Sequence, residues 1–145
     1  MKRLLFLLIP ILCIGAAPAE TGSRFGYVDI FIDPKGQAVA AWQLEFSAEV
    51  GQISLVGIEA SDHAAYAARP AYYDPAALAG SRIILANYSL DPKLPKSKFR
   101  VARVMVEIRG EGKPQYVTKL IAAADAGGKT VSVEVSLNEG SKAAP

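Results

Sequence analysis

The side chains able to do chemistry are few, and their spacing limits what they can do. The single histidine, His63, follows Ser61 and Asp62. A nucleophilic triad needs serine, imidazole and carboxylate in line, a geometry that consecutive residues cannot reach, so His63 reads as a solvent-facing loop histidine. There is no Gly-x-Ser-x-Gly, no glycine-rich phosphate loop and no His-Glu-x-x-His. Two acids meeting in space would suffice for a glycosidase, and Glu45 with Glu107 is the pair on offer, although acids on alternating strands more often form a soluble outer face. No catalytic residue is assigned, and the chain is expected not to be an enzyme.

Asp29, Asp33 and Asp74 supply hard oxygen near loops. Calcium takes about six to eight such oxygens, and no Asp-x-Asp-x-Asp run gathers them. Turn and helix-capping roles account for Asp33 and Asp74, so no metal site is assigned. Cys13 is the only cysteine, and it falls within a leader expected to be removed. That excludes disulfides, zinc-thiolate sites and cysteine nucleophiles from the exported product. No cofactor is expected.

The most informative stretch for binding is the long connection 60–80, which carries Tyr66, Arg69, Tyr72 and Tyr73. Tyrosine joins a flat apolar face to a hydroxyl, and tyrosine and arginine are enriched at binding hot spots. These four are the candidate contacts for a protein partner or a polysaccharide. The alternative is that they pack down and lid one end of the fold, since ordering a loop of this length requires buried anchors. Trp42 shares its phase with Leu44 and Phe46 and is therefore expected in the core. Lys93, Lys96, Lys98, Arg100 and Arg103 form the densest basic run, read as a solubilising loop and a guard on a strand edge. Asn87-Tyr88-Ser89 matches a glycosylation acceptor but lies inside an expected strand, and it is set aside.

The elements that must position these residues are strands. Period-two alternation recurs through nearly every segment after Arg24, the mark of strands with one face on a core. It marks strands at 25–33 (Val28, Ile30 and Ile32 on one face), 39–48 (Trp42, Leu44 and Phe46 inward) and 53–59. It resumes at 82–90 (Ile84, Ala86 and Tyr88 on one side), 99–109, 115–123 and 130–137. Asp33-Pro34-Lys35-Gly36 and 110–114 read as turns, and Asp125 to Lys129 contains a Gly-Gly hairpin signal. Asp74 followed by Pro75 predicts one short helical turn within the long loop. Seven one-sided strands bury their apolar faces best against each other, which predicts an all-β, two-sheet antiparallel β-sandwich, jelly-roll-like, over residues 25–137.

The chain has 145 residues, 51% of them apolar, with 16 basic and 14 acidic side chains, which suits one folded domain and not a disordered tail. Lys2 and Arg3, an apolar run from Leu4 to Ile14 and Ala17-Pro18-Ala19 are the parts of a secretory signal peptide. Residues 1–19 are assigned to it, with cleavage near Ala19, 20–24 to a linker and 138–145 to a flexible tail. The apolar run falls well short of the roughly 20 residues that cross a bilayer, so no stable membrane insertion is expected after cleavage. Leu12 precedes Cys13 where a lipidation signal wants a small residue. Cleavage removes two basic side chains and no acid, which leaves 14 of each sign. A nucleic-acid partner is therefore not encoded by net charge. The expected destination is the periplasm or the medium.

The segments Tyr27 to Asp33, Ala40 to Phe46, Ile53 to Glu59 and Phe99 to Ile108, taken in order, resemble the cohesin-like branch of the bacterial β-sandwiches related to cellulose-binding modules. The likeness spans roughly residues 26–137 and rests on alternations of common residues; the chain is shorter at its N-terminus than a full cohesin. The resemblance implies a nine-stranded jelly-roll-like sandwich and a noncatalytic binding role, through a sheet face to a protein or through aromatics to a glycan. The expected function is thus an exported noncatalytic binding module that mediates a protein–protein interaction. Recognition of a polysaccharide through the loop tyrosines is the alternative.

Overall fold

The computed structural model describes residues 22–141. The expected signal peptide with its cleavage point near Ala19, Cys13, the first residues of the linker and the last four of the tail lie outside them. Seven strands form: β1 Ser23–Asp33, β2 Ala41–Val50, β3 Gln52–Glu59, β4 Arg82–Tyr88, β5 Phe99–Arg109, β6 Gln115–Ala124 and β7 Glu134–Ser141. They make a four-stranded sheet in the order β3-β5-β1-β7 and a three-stranded sheet in the order β4-β2-β6, with every pairing antiparallel. The β-sandwich expected from the alternation is the fold. The nine strands implied by the resemblance are not; among the described residues there are seven.

Odd-numbered strands build one sheet and even-numbered strands the other, so every connection crosses between layers and no two consecutive strands are neighbours. The shortest crossing is the single residue Gly51. Its φ is +91°, and a side chain there would press on Pro114 with Cβ 3.1 Å from that residue's Cα. Only glycine bends the chain so sharply at this corner. At 34–37 both central residues have positive φ, Lys35 at 51° and Gly36 at 88°, and Gln37 N–H donates to the Pro34 carbonyl at 3.1 Å. This is a primed turn with proline ahead of its centre, and not one whose first central angle proline presets.

Val28, Ile30, Ile32, Leu44, Phe46, Leu55, Ile83, Leu85, Val101, Val104 and Val106 fill the space between the layers. Two bulges keep their strands in phase with it. In β3 the register slips between Leu55 and Gly57, which turns Val56 outward and lets both Leu55 and Ile58 point in. In β5 a slip opposite Ile30 and Phe31 leaves Val101 and Ala102 both buried.

Both ends depart from expectation. The linker is already strand at Ser23 and Arg24, opposite Arg109 and Ile108. Residues 138–141, expected to be loose, pair with β1 as Asn138 to Asp29, Glu139 to Val28, Gly140 to Tyr27 and Ser141 to Gly26. The β6–β7 connection begins as the expected hairpin: Asp125 N–H donates to Lys129 O at 2.9 Å and Val131 N–H to Ala123 O at 2.9 Å. The chain then leaves its partner and joins the opposite sheet from Glu134, so the strand expected at 130–137 starts and ends later.

The long connection 60–80 stitches the two sheets together along one side. Its last residues cover the edge of β3, where Leu55 N–H donates to Gly80 O and Ala79 N–H to Leu55 O, both at 2.8 Å. Its middle covers the edge of β4 through Tyr72 and Ala86, which exchange backbone hydrogen bonds of 2.7 and 3.0 Å. Between them the expected helical turn forms at Pro75–Ala77, with the Asp74 carboxylate accepting from Ala76 N–H at 2.9 Å.

Candidate functional site

The four residues singled out in the long loop divide between the interior and the surface. Tyr66 is buried; its hydroxyl donates to the Val39 carbonyl at 2.8 Å, and its ring stacks on Phe99 and meets Trp42 edge-on. Burial raises its phenol pKa far above the ordinary value. Tyr66 is an anchor that closes one end of the core, which removes it from the binding set. Tyr73 is half-buried and packs against the same core. Arg69 and Tyr72 stand outside, with the guanidinium carbon 4.7 Å from the ring centroid. The structure thus brings together two of the four.

It also adds a residue that the sequence reading passed over. The Tyr88 ring lies within 5° of parallel to Tyr72, with centroids 6.2 Å apart, and the two are 53% and 44% exposed. Tyr88 follows Ile84 and Ala86 in the phase of β4 that faces solvent, while Ile83, Leu85 and Asn87 face in. Both phases of Ile83-Ile84-Leu85-Ala86 are apolar, so periodicity alone could not choose the outward one.

The surface beside these rings is the outer face of the three-stranded sheet. Cross-strand pairing sets Ala41 between Tyr88 and Ala124, and Gln43 between Ala86 and Ala122. Methyl groups make a low floor next to the tall tyrosine wall, and together they enclose a trough of about 280 Å3. Two further hollows of about 430 Å3 each adjoin it, one running past Leu90, Pro92 and Leu94, the other beneath Arg69. Tyr88 borders all three, and Leu90 beside it is 92% exposed.

The opposite outer face leaves Phe25 and Val56 60% and 50% exposed but covers its centre. Arg103 grips the Asp29 carboxylate through two nitrogens, at 2.7 and 2.9 Å, lies 4.0 Å from the Tyr27 ring centroid, and Arg100 approaches the same carboxylate at 3.6 Å. The hydrogen bond from Arg103 and this stacking leave Asp29 buried on a solvent-facing side of the sheet. Arg100 and Arg103, expected to guard an edge, therefore belong to an ion-pair lattice on a central strand, and Lys98 lies over the Phe31 ring.

The residues weighed for catalysis and metal binding spend their polar atoms locally. Ser61 Oγ donates to Arg100 O at 2.6 Å and accepts from His63 N–H. Asp62 accepts from Arg100 N–H at 3.0 Å, and His63 Nδ1 accepts from Ala65 N–H at 3.2 Å. Glu45 and Glu107 lie on the outer faces of different sheets, with the core between them. Arg82 lowers the Glu45 pKa, and Ser23 with Arg109 lowers that of Glu107; a general acid needs the opposite shift. Asp33 pairs with Lys35 and Asp74 caps its turn. Among the described residues no three histidine, cysteine or acidic side chains gather as metal ligands. Trp42 is buried as expected, with its indole N–H lacking an acceptor.

Compared with known protein families, with curated proteins and with solved structures, the chain has no match.

Proposed function

We propose that this chain is an exported, noncatalytic binding module, of the cohesin-like kind, that holds another protein against the outer face of its three-stranded sheet, with Tyr72, Tyr88 and Leu90 as the contact ridge. The observation that carries the reading is the pairing of exposed aromatic and aliphatic side chains with a floor of alanine methyls. Burying such a surface against an apolar partner is favourable in proportion to its area, and central aromatics are the usual hot spots. A saccharide laid in the same trough would rest most of its hydroxyls over the alanine methyls, with Gln43 the polar side chain of the floor and Asn87, Tyr72 and Tyr88 reaching it only from the walls. That favours a protein over a polysaccharide. Export rests on the charged and apolar pattern of residues 2–19.

The test is a photoreactive benzophenone amino acid placed at position 88, and separately at position 56 on the other sheet, in cells that export the chain. The expected result is a protein adduct from position 88 alone, lost when Leu90→Asp is added. Equal adducts from both positions, or none together with retention on insoluble polysaccharide, overturns the reading.

A further inference from the structure

The hollow beneath Arg69 differs from the alanine trough beside it. Its walls are the turn leading from Tyr66 to Arg69 and the end of β4 with Ser89 and Leu90, and Arg69 is the only charged residue that lines it. The other arginines of the described residues are all engaged. Arg24 donates to the carbonyls of Gly110 and Gly112, Arg82 pairs with Glu45, Arg100 and Arg103 converge on Asp29, and Arg109 pairs with Glu107. Arg69 is the one arginine among the described residues with neither a carboxylate nor a carbonyl partner; its guanidinium is held against Tyr72 by stacking.

The polar side chains around it are turned the same way chemically. Asn87 Oδ1 already accepts from Tyr88 N–H at 2.9 Å, so its free capacity is the two donors of the NH2 group. Ser89 Oγ accepts from Asp91 N–H at 3.1 Å, which leaves its O–H to donate. The Tyr66 hydroxyl is spent on Val39. A hollow that offers N–H and O–H groups, one full positive charge and no acid in its lining recognises an acceptor anion. The planar guanidinium fork matches a carboxylate with two parallel hydrogen bonds. One guanidinium and no lysine in the lining suit a single negative charge.

We infer that this hollow receives the side-chain carboxylate of an aspartate or glutamate of the protein partner, while an apolar side chain of the same segment lies on the adjoining alanine trough. The two depressions share Asn87 and Tyr88 as common walls, so neighbouring side chains of one segment can occupy both. The inference rests on the protein-binding reading above. It prefers a peptide acid to a sugar acid for the reason already given, the lack of partners for sugar hydroxyls over the trough.

A random library of N-acetylated, C-amidated heptapeptides, screened against the full exported chain, tests it. The expected winners carry Asp or Glu close to Leu, Ile or Phe. Replacing that acid by its amide weakens binding about tenfold or more. Arg69→Gln weakens the acidic peptide equally and no longer distinguishes acid from amide, and Arg69→Glu selects lysine or arginine instead. Arg69 is exposed, so these variants leave the core intact, and Arg69→Lys preserves the preference for acid at reduced strength. Winners that depend on Tyr88 but show no preference for acid, or a preference that survives Arg69→Gln, overturn this inference while leaving the protein-binding reading in place. Absence of any Tyr88-dependent peptide, with or without binding to a soluble polyuronate, overturns both.

Discussion

Tyr72 and Tyr88 lie with their rings 5° from parallel and 6.2 Å apart because Tyr72 is tied through both of its backbone groups to Ala86, two residues from Tyr88 on the same face of β4. The long loop thus contributes a one-residue strand to the sheet edge, and side chains set diagonally across such a pairing come within reach of each other. The edge is closed to further pairing at that point, and the same contact stands the two rings up at the border of the alanine floor. A loop whose main work is to seal the sandwich also supplies one wall of the proposed binding face.

Sealing and binding should separate by mutation. Tyr88→Ala loses the ring pair with Tyr72 and is expected to cost about 0.2–1 kcal/mol, while abolishing partner capture. Tyr66→Phe strips the donor from the buried Val39 carbonyl and is expected to cost about 1–3 kcal/mol with capture intact in the folded fraction. Urea denaturation read by tryptophan fluorescence, alongside the crosslinking assay, checks both; a stability loss in Tyr88→Ala equal to that of Tyr66→Phe would contradict the division.

The Asp29 carboxylate is held by Arg103 at 2.7 and 2.9 Å and approached by Arg100 at 3.6 Å. Asp29→Asn removes the shared counter-charge and is expected to cost about 1.5–3 kcal/mol, the range for hydrogen bonds to charged groups. Arg103→Met should cost less, since Arg100 remains beside the acid. A double-mutant cycle with a coupling energy near zero would show that the lattice is ornamental.

Gly140 lies opposite Tyr27, and a methyl group built there collides with the far end of that ring, which is itself covered by Arg103. Gly140→Ala is therefore expected to push Tyr27 off the guanidinium and cost about 1–3 kcal/mol. In a Tyr27→Ala background the same change should be nearly silent. Thermal unfolding of the four variants reads the non-additivity, and additive losses would mean that the ring moves aside freely.

Stability should fall at both extremes of pH, for different groups. Asp33, Glu45 and Glu107 have pKa values lowered by Lys35, by Arg82, and by Ser23 with Arg109 respectively. Their contribution is present above the ordinary carboxylate range near pH 4 and is lost as pH drops through the lowered values. Tyr66 and Tyr116 are raised, chiefly by burial. The unfolded chain releases these protons near pH 10 while the folded chain retains them, so stability is complete below about pH 10 and declines above it. Tyr66→Phe should flatten the alkaline limb of a melting-temperature profile and leave the acid limb unchanged.

Much of the fold was legible in order: seven strands, the inward placement of Trp42, Leu44 and Phe46, and the Asp74-capped turn all follow from alternation and local backbone preference. The candidate contact residues were legible only as a group. Tyr72 and Tyr73 are adjacent, so on an extended chain one must turn in and the other out, and nothing local says which. Tyr66 carries the same chemistry as Tyr72, yet it is the anchor because the turn before it is tied to Arg100 in β5 and swings it over Phe99. Tyr88 was placed in its strand but not among the contacts, because both faces of that strand are apolar.

The residue order by itself determined that the chain makes one-sided strands, since a period of two is a property of the extended backbone and apolar character belongs to each side chain alone. Tertiary structure decided that the strands divide into odd and even sheets, that Ile84, Ala86 and Tyr88 face out, and that residues 138–141 form an edge strand. Those outcomes depend on which partner each strand meets across the layers, and exposure is a property of that meeting and not of any residue in it.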